Sequence, residues 1–364
     1  MIAALTTRWT LYVPLLAALV LALSWGRSIP GLIVALVSLA LVGAVLAAVY
    51  HAEVVAHRVG EPFGSLVLAV AVTVIEVALI VTMMISGGEK AASLARDTVF
   101  AAVMITCNGI FGLVLLVGAL RRRVAVFNSE GTGAALATVA TLATLSLVLP
   151  TFTTSKPGPE FSVAQLAFAA VASLLLYILF VMVQTVRHPD DFLPVEDGGA
   201  VDDDDDPHGA RPSKRTALVS LGLLVLALVC VVGLAKVVSP TLESAVNSAG
   251  LPQSAVGVVI AMLVLLPETL AAVNSARRNR VQIGLNLALG SAMASIGLTI
   301  PVIALATIWL SGPLVLGLGA TQMVLLALTV GVGTLTIVPG RATLLHSGVH
   351  LALFAAFVFL AASP

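Results

Sequence analysis

The sequence predicts an all-α polytopic membrane protein with eleven transmembrane helices, one leading helix followed by two inverted repeats of five. Three observations carry that prediction. Of the 364 residues, 59% are hydrophobic and only 10% charged, with a mean hydropathy of +1.11, where a soluble chain carries about 25% charged residues. Eleven stretches approach the length needed for a helix to cross the hydrocarbon core, about 20 apolar residues. One polar, acidic segment interrupts the pattern and leaves five stretches on each side once the first is set aside. This composition excludes a water-soluble enzyme. The balance of 18 basic against 18 acidic residues lacks the basic face that a nucleic-acid partner requires. The two cysteines, Cys107 and Cys230, lie in apolar runs, so neither a disulfide framework nor a redox compartment is implied.

In chain order the stretches cover residues 10–25, 31–50, 64–85, 98–120, 131–151, 163–186, 216–238, 254–276, 283–310, 314–338 and 343–362. The first follows a single basic residue, Arg8, without a small-residue cleavage site, so it reads as a helix rather than a cleaved signal. Only Ser311, Gly312 and Pro313 separate the ninth from the tenth. Trp9, Trp25 and Trp309 fall near span ends, where indole prefers the interface.

Basic residues test the count. If each stretch crosses once, Arg8, Arg58, Arg121, Arg122, Arg123, Arg187, Arg211, Lys214, Arg215, Arg277, Arg278, Arg280 and Arg341 share the side of the N-terminus. Arg27, Lys90, Arg96, Lys156 and Lys236 take the other side. The positive-inside rule then places the N-terminus in the cytoplasm and the C-terminus outside, a multi-pass protein of the cell (inner) membrane. The chain therefore divides into a leading helix (1–28), a first repeat (29–186), an acidic cytoplasmic linker (187–215) and a second repeat (216–364). Within the linker, Asp202 to Asp206 form an unbroken run. Such a run reads as a solvated tether, since like charges repel and nothing can be buried, or as a cation-collecting or regulatory segment.

An odd number of helices per half makes the second copy enter the bilayer from the opposite side, the geometry of an inverted-topology repeat. Equivalent features should then recur at equivalent places. Among the acidic residues, Glu76 and Glu268 lie inside predicted spans, each on the second helix of its half. They are 192 positions apart, while the halves begin 185 apart, at Gly31 and Thr216. Glu76 lies roughly 18 Å into its helix at about 1.5 Å per residue, and Glu268 is at a similar depth. A carboxylate there costs about 2.5–3.5 kcal/mol on insertion scales, and intramembrane acids mark ion and proton paths. The plainer alternative is a protonated Glu bonded to a neighbouring helix.

Neighbouring residues extend each site. Thr73 lies one turn before Glu76. Pro267 precedes Glu268 and removes a backbone donor, freeing a carbonyl one turn earlier, and Thr269 follows. On the next helix of the first half stand Thr106 and Asn108. On the next helix of the second half stand Ser291 and Ser295, spaced i, i+4. These hydroxyl, amide and carboxylate oxygens are hard ligands suited to Na⁺, K⁺ or Ca²⁺. For the Ser/Gly/Ala stripe, close helix packing is an equal reading, compatible with ligation.

These segments resemble the calcium/cation antiporter superfamily and, within it, the cation/proton exchanger family. The approach Gly60-Glu61-Pro62-Phe63-Gly64 leading to Glu76 is similar to that family's first signature, which ends Gly-Asn-Ala-Thr-Glu. The segment Leu266-Pro267-Glu268 takes the place of the second, Gly-Asn-Ala-Ala-Glu, and Gly290-Ser291 through Pro301 looks like the conserved helix that follows. The acidic loop between five-helix halves and the extra leading helix also match the family plan. Where the family has Gly-Asn, this chain has Val72-Thr73 and Val264-Leu265. Two amide ligands are thus absent, and the pattern is closer to the bacterial sodium(potassium, calcium)/proton antiporter branch.

The resemblance implies a secondary antiporter, not an enzyme. It would export Ca²⁺, Na⁺ or K⁺ in exchange for protons, with no cofactor and with inorganic cations, protons and the bilayer as its partners; a homo-oligomer is left open. One Ca²⁺ would replace two protons on the Glu pair, one Na⁺ or K⁺ a single proton. The rival within transport is a sodium/calcium exchanger without proton coupling. From another class comes an intramembrane metal-dependent enzyme, although His-Glu-x-x-His is absent. His51, Glu53 and His57 form the nearest pattern to it, read either as interfacial polar residues or as zinc ligands. His346 and His350, spaced i, i+4 on the last helix, either bind a metal or face a neighbouring helix.

Overall fold

The computed structural model describes residues 9–27, 31–60, 63–87, 92–195, 212–250, 252, 254–309 and 312–363. The run Asp202 to Asp206 lies outside them, as do Glu61 and Pro62. Among the described residues the protein is almost wholly helical. Helices occur at all eleven predicted stretches, and eight are long and apolar enough to cross a membrane, or nine if one bent pair counts as a single span.

In chain order they are α1 (Trp9–Ser24), α2 (Gly31–Val59), α3 (Phe63–Gly87), α4 (Leu94–Arg122), α5 (Ser129–Phe152), α6 (Val163–Arg187) and α7 (Lys214–Ser248). The bent pair α8 (Ser254–Val264) and α9 (Leu266–Arg277) follows, then α10 (Val281–Ala306), α11 (Ala320–Ile337) and α12 (Leu344–Ala362). One stretch departs from its prediction. Residues 314–319 are extended, because Gly312, Pro313, Gly317 and Gly319 disfavour helix and neighbours take up the backbone. Val315 N donates to Ala92 O at 3.1 Å, Gly317 N to Pro159 O at 2.9 Å and Leu318 N to Leu147 O at 2.8 Å.

Packing sorts the helices into two compact units, each drawing on both halves of the sequence. The first comprises Met1–Ser86 with Gly198–Ser248, and the second Gly87–Asp197 with Ala249–Pro364.

In the first unit α1, α2 and α7 pack on one another. Pro14 lies inside α1 and has no N–H to give the Thr10 carbonyl one turn earlier. That carbonyl instead takes a hydrogen bond from His51 Nε2 at 2.9 Å. The buried His51 ring thus replaces a missing backbone donor, while Glu53 and His57 are exposed. Basic residues gather by end. Arg58 donates to Pro212 O beside the start of α7, at 3.3 Å, whereas the Lys236 ammonium lies 5.4 Å over the Trp25 ring near Arg27.

The second unit shows the same two-ended arrangement. At one end, strands β1 (Ala125–Val126) and β2 (Arg341–Ala342) pair antiparallel beside Arg121–Arg123. A chain of amides joins them there. Asn128 N donates to Gln282 Oε1 (2.7 Å), Gln282 Nε2 to Asn286 Oδ1 (2.8 Å) and to Thr132 Oγ1 (3.2 Å), and Asn286 Nδ2 to Phe192 O (2.7 Å). Residues 187–195, read from the sequence as the solvated beginning of the linker, are therefore docked, with Phe192 buried against Phe180. At the other end Arg96 donates to Gly317 O at 3.1 Å and Lys156 pairs with Glu160. Asp97, expected just outside its span, is a buried member of α4. Its carboxylate accepts hydrogen bonds from Arg96, Ser93 and Gln322.

Candidate cation site

Glu76 and Glu268 belong to different units, and each has its own surroundings. In the first unit α3 runs unbroken through Glu76, an apolar helix with no internal proline or glycine between Gly64 and Gly87. Thr73, one turn earlier on the same face, is buried, as is Glu76, whose exposure is 3%.

In the second unit the backbone is bent by 51° between α8 and α9. Pro267 supplies the cause, because it leaves the Leu263 carbonyl without its i+4 backbone donor. At the break, Leu265 takes φ −85° and ψ 0°, outside the helical basin. Its own carbonyl is satisfied twice by Thr269, through the backbone N–H at 2.9 Å and Oγ1 at 2.7 Å. The Thr269 hydroxyl is therefore spent on the break. Glu268 is partly exposed and stands in the first turn of α9, where the positive end of the helix dipole favours anions.

Around α9 the unit assembles most of the remaining predicted residues. Both α10 and the second half of α4 pack on α9, and α10 also packs on the middle of α4. Gly284 marks the convergence. A Cβ built there would lie 2.9 Å from Ala272 O on α9 and 3.0 Å from both Val114 methyls on α4, so a glycine lets three helices meet one turn from Glu268. On α10, Ser295 is buried and Ser291 half-buried. This helix is interrupted in turn at Leu298, where Pro301 withholds a donor from Gly297 and a Cβ at Gly297 would meet Tyr177 at 2.6 Å.

The middle of α4, Ile105–Ile110, is a π-turn, a feature frequent at functional sites. Thr106 bonds back to Ala102 O (2.7 Å) and Val103 O (3.1 Å) within its own helix. Asn108 is fully buried and turns its amide toward α11 and α12. Nδ2 donates to Thr329 Oγ1 at 2.8 Å, and Oδ1 lies 3.2 Å from His350 Nδ1. His350 thus faces neighbouring helices, while His346 caps α12 by accepting from Thr343 N at 3.2 Å; the two rings make no metal pair. Among the described residues no group of three or more His, Cys, Asp or Glu side chains could hold a metal. The sequence did not single out Thr329, Thr336 or the His350–Asn108 contact. Their signal is the rarity of polar side chains in apolar helices, but partners 221 and 242 positions apart are invisible to spacing.

An almost wholly helical chain with eight or nine candidate spans among its described residues, one of them broken at Pro267, has the build of a membrane transporter. Comparison with known proteins gives the family. The model for the sodium/calcium exchanger protein family matches residues 29–186 and 219–362, and the chain belongs to that family. It is 46% identical to y4hA of Sinorhizobium fredii, a protein named for ionic transport, over 98% of this chain and 96% of that one. It is 35% identical to the sodium-potassium/proton antiporter ChaA of Escherichia coli, over 96% and 94%. Among solved structures, native YfkE shares the fold with a TM-score of 0.71 at 16% identity, covering 98% of this chain and 99% of that one. The protein is a multi-pass membrane cation antiporter, not an enzyme, and inorganic cations are its substrates.

Proposed function

We propose that the protein exchanges cytoplasmic Na⁺, K⁺ or Ca²⁺ for external protons, with Glu76 and Glu268 as the groups on which cation and proton compete. In this reading residues 29–186 and 216–364 are inverted five-helix repeats behind a leading helix. The N-terminus is cytoplasmic and the C-terminus outside; Thr73 lends an oxygen beside Glu76, and Asn108, Ser291 and Ser295 lend theirs on the side of Glu268. Thr106, Pro267 and Thr269 shape the backbone around it. The observation that carries the reading is the recurrence of one deep acid on the second helix of each half. Burial in a low dielectric favours a protonated carboxyl and a nearby cation favours the charged form, so the two ligands exclude each other. Exclusion combined with alternating access is the least that antiport requires. Proton coupling is supported by the likeness to a named sodium-potassium/proton antiporter, and the sidedness by the excess of basic residues in the loops read from the sequence as cytoplasmic.

Liposomes loaded with a pH dye test this. Addition of Na⁺, K⁺ or Ca²⁺ outside should drive proton movement, and Glu76→Gln or Glu268→Gln should abolish it, since intramembrane acids mark ion and proton paths. Unchanged flux in both variants ends the proposal. The family's description also names sodium/calcium exchange. Ca²⁺ uptake driven by a Na⁺ gradient, with no pH change, would favour that reading instead.

A further inference from the structure

We propose that the furrow between α5 and α11 is a binding site for an anionic phospholipid, with an acyl chain lying along the furrow and the headgroup phosphate held by Arg341. Nothing in this site depends on which ions the protein exchanges.

The furrow follows from residue size. α5 and α11 pack on each other, and Gly333 lets them approach, since a Cβ there would lie 2.8 Å from Leu136 Cδ2. Beside this contact the walls fall back. Gly133 and Ala137 on α5, with Val330, Thr334, Ile337 and Val338 on α11, line a cavity of about 480 Å³, within the range of about 300–1,000 Å³ typical of small-molecule sites. Thr334 adds no free polarity, because its hydroxyl donates to Val330 O at 2.8 Å within α11. Both helices are long and apolar enough to cross a membrane, and Val338 is 71% exposed. An open apolar trough of this kind marks contact with lipid.

One end of the trough is polar and charged. Ser129 and Glu130, in the first turn of α5, line it there. The β1–β2 pairing brings Arg341 alongside. Phe127 N donates to Gly340 O at 3.0 Å, and a Cβ on Gly340 would lie 3.8 Å from Ser129 Cβ. Arg341 follows, exposed and in register with Val126. Among the described residues its guanidinium has no hydrogen-bond or ion-pair partner. Arg121, Arg122 and Arg123 are exposed at the same hairpin, so positive charge outweighs the Glu130 carboxylate. The docked segment that carries Asp191 does not cover the trough. Its Asp191 carbonyl meets α5 at Gly131, which is roughly 200° around the helix from Gly133. An apolar trough that ends at an unpaired guanidinium suits a molecule joining an acyl chain to a phosphate, which cationic donors hold by charge-assisted hydrogen bonds.

Native mass spectrometry of the full-length protein in detergent tests this, with phosphatidylglycerol and phosphatidylcholine of identical chains offered at equal concentration. The wild type should retain one phosphatidylglycerol about fivefold more tightly than phosphatidylcholine, the factor expected of one basic residue near an anionic headgroup. Arg341→Gln should erase that preference, while Arg341→Lys, which keeps the charge, should stay within about twofold of the wild type. Glu130→Gln should strengthen the preference, by about twofold or more. Ala137→Phe fills the trough from an exposed position and should weaken retention of both lipids about tenfold. Glycerol phosphate, a headgroup without chains, should not displace the lipid. The lipid-induced rise in melting temperature should follow the same order, each variant measured against its own lipid-free state, so that a loss of stability alone cannot imitate the result. Equal retention of the two lipids by the wild type, an unchanged preference in Arg341→Gln, or unchanged retention in Ala137→Phe would each overturn the inference. So would a concentration-dependent dimer that Ala137→Phe abolishes, since the trough would then seat a second copy of the chain.

Discussion

The two helices that carry Glu76 and Glu268 look alike in sequence pattern and differ in backbone. Both are apolar, and each carries one acid within a stretch that the sequence reads as a span. Yet α3 is continuous through Glu76, whereas α8 and α9 are bent by 51° directly before Glu268. One residue accounts for the difference. Ile75 precedes Glu76 and can donate its N–H, while Pro267 precedes Glu268 and cannot. The consequence is electrostatic as well as geometric. Glu268 stands at a helix start, where the positive end of the dipole lies, and Glu76 stands in a helix interior. Two acids that look alike in the sequence pattern therefore need not be alike as sites.

The strongest way to break this comparison is to exchange the two backbones. Ile75→Pro would impose on α3 the interruption that α8–α9 already has, at a cost of about 3 kcal/mol or more for an interior proline. Most of the folded protein should be lost on size-exclusion chromatography in detergent. Wild-type yield and transport in that variant would mean the continuity of α3 is unimportant. Pro267→Ala does the reverse. With the donor restored, the melting temperature should hold or rise, because proline is about 3 kcal/mol worse than alanine in a helix interior. Transport should nevertheless fall about tenfold, the effect of roughly 1.4 kcal/mol on the barrier. A faster or unchanged exchanger would show that the bend serves no purpose.

Gly284→Ala sharpens the comparison at the place where α4, α9 and α10 meet. Its methyl would press on a backbone carbonyl 2.9 Å away, which cannot rotate aside, so overpacking should cost about 1–3 kcal/mol, read as a lower melting temperature. Gly290→Ala serves as the control on the same helix, since nothing stands within 4 Å of a Cβ there. The smallest effect is expected from Thr269→Val. It removes one of two bonds to the Leu265 carbonyl and keeps the other, for about 0.5–1.5 kcal/mol. A loss as large as that of Gly284→Ala would mean the hydroxyl does more than satisfy the break.

Much of the fold was legible in the one-dimensional pattern because burial in lipid leaves the backbone little choice but helix. Eleven apolar stretches became helices, and Pro267 announced the bend it causes. Residues 314–319 misled for a specific reason. Leu314, Val315, Leu316 and Leu318 are apolar enough to read as helix, yet the N–H groups of Val315, Gly317 and Leu318 go to Ala92, Pro159 and Leu147, and the Leu318 carbonyl accepts from Thr151, partners that no local window contains. Asp97 misled similarly. It reads as an exterior residue, but Arg96, Ser93 and Gln322 supply donors enough to bury it. His51 and Pro14 were both visible, but that one repairs the other depends on two helices meeting.

By itself, then, the sequence determined the membrane class, the helical segments, the two acids within apolar stretches and the proline that bends one of their helices, all consequences of local hydropathy and local hydrogen-bonding capacity. Only the tertiary structure decided which polar groups find each other across helices: Asn108 with His350 and Thr329, Gln282 with Asn286 and Thr132, Asp97 with Gln322. The reason is physical. A buried polar side chain must be satisfied, but its partner is set by which helix faces are pressed together, and that is a property of packing in three dimensions.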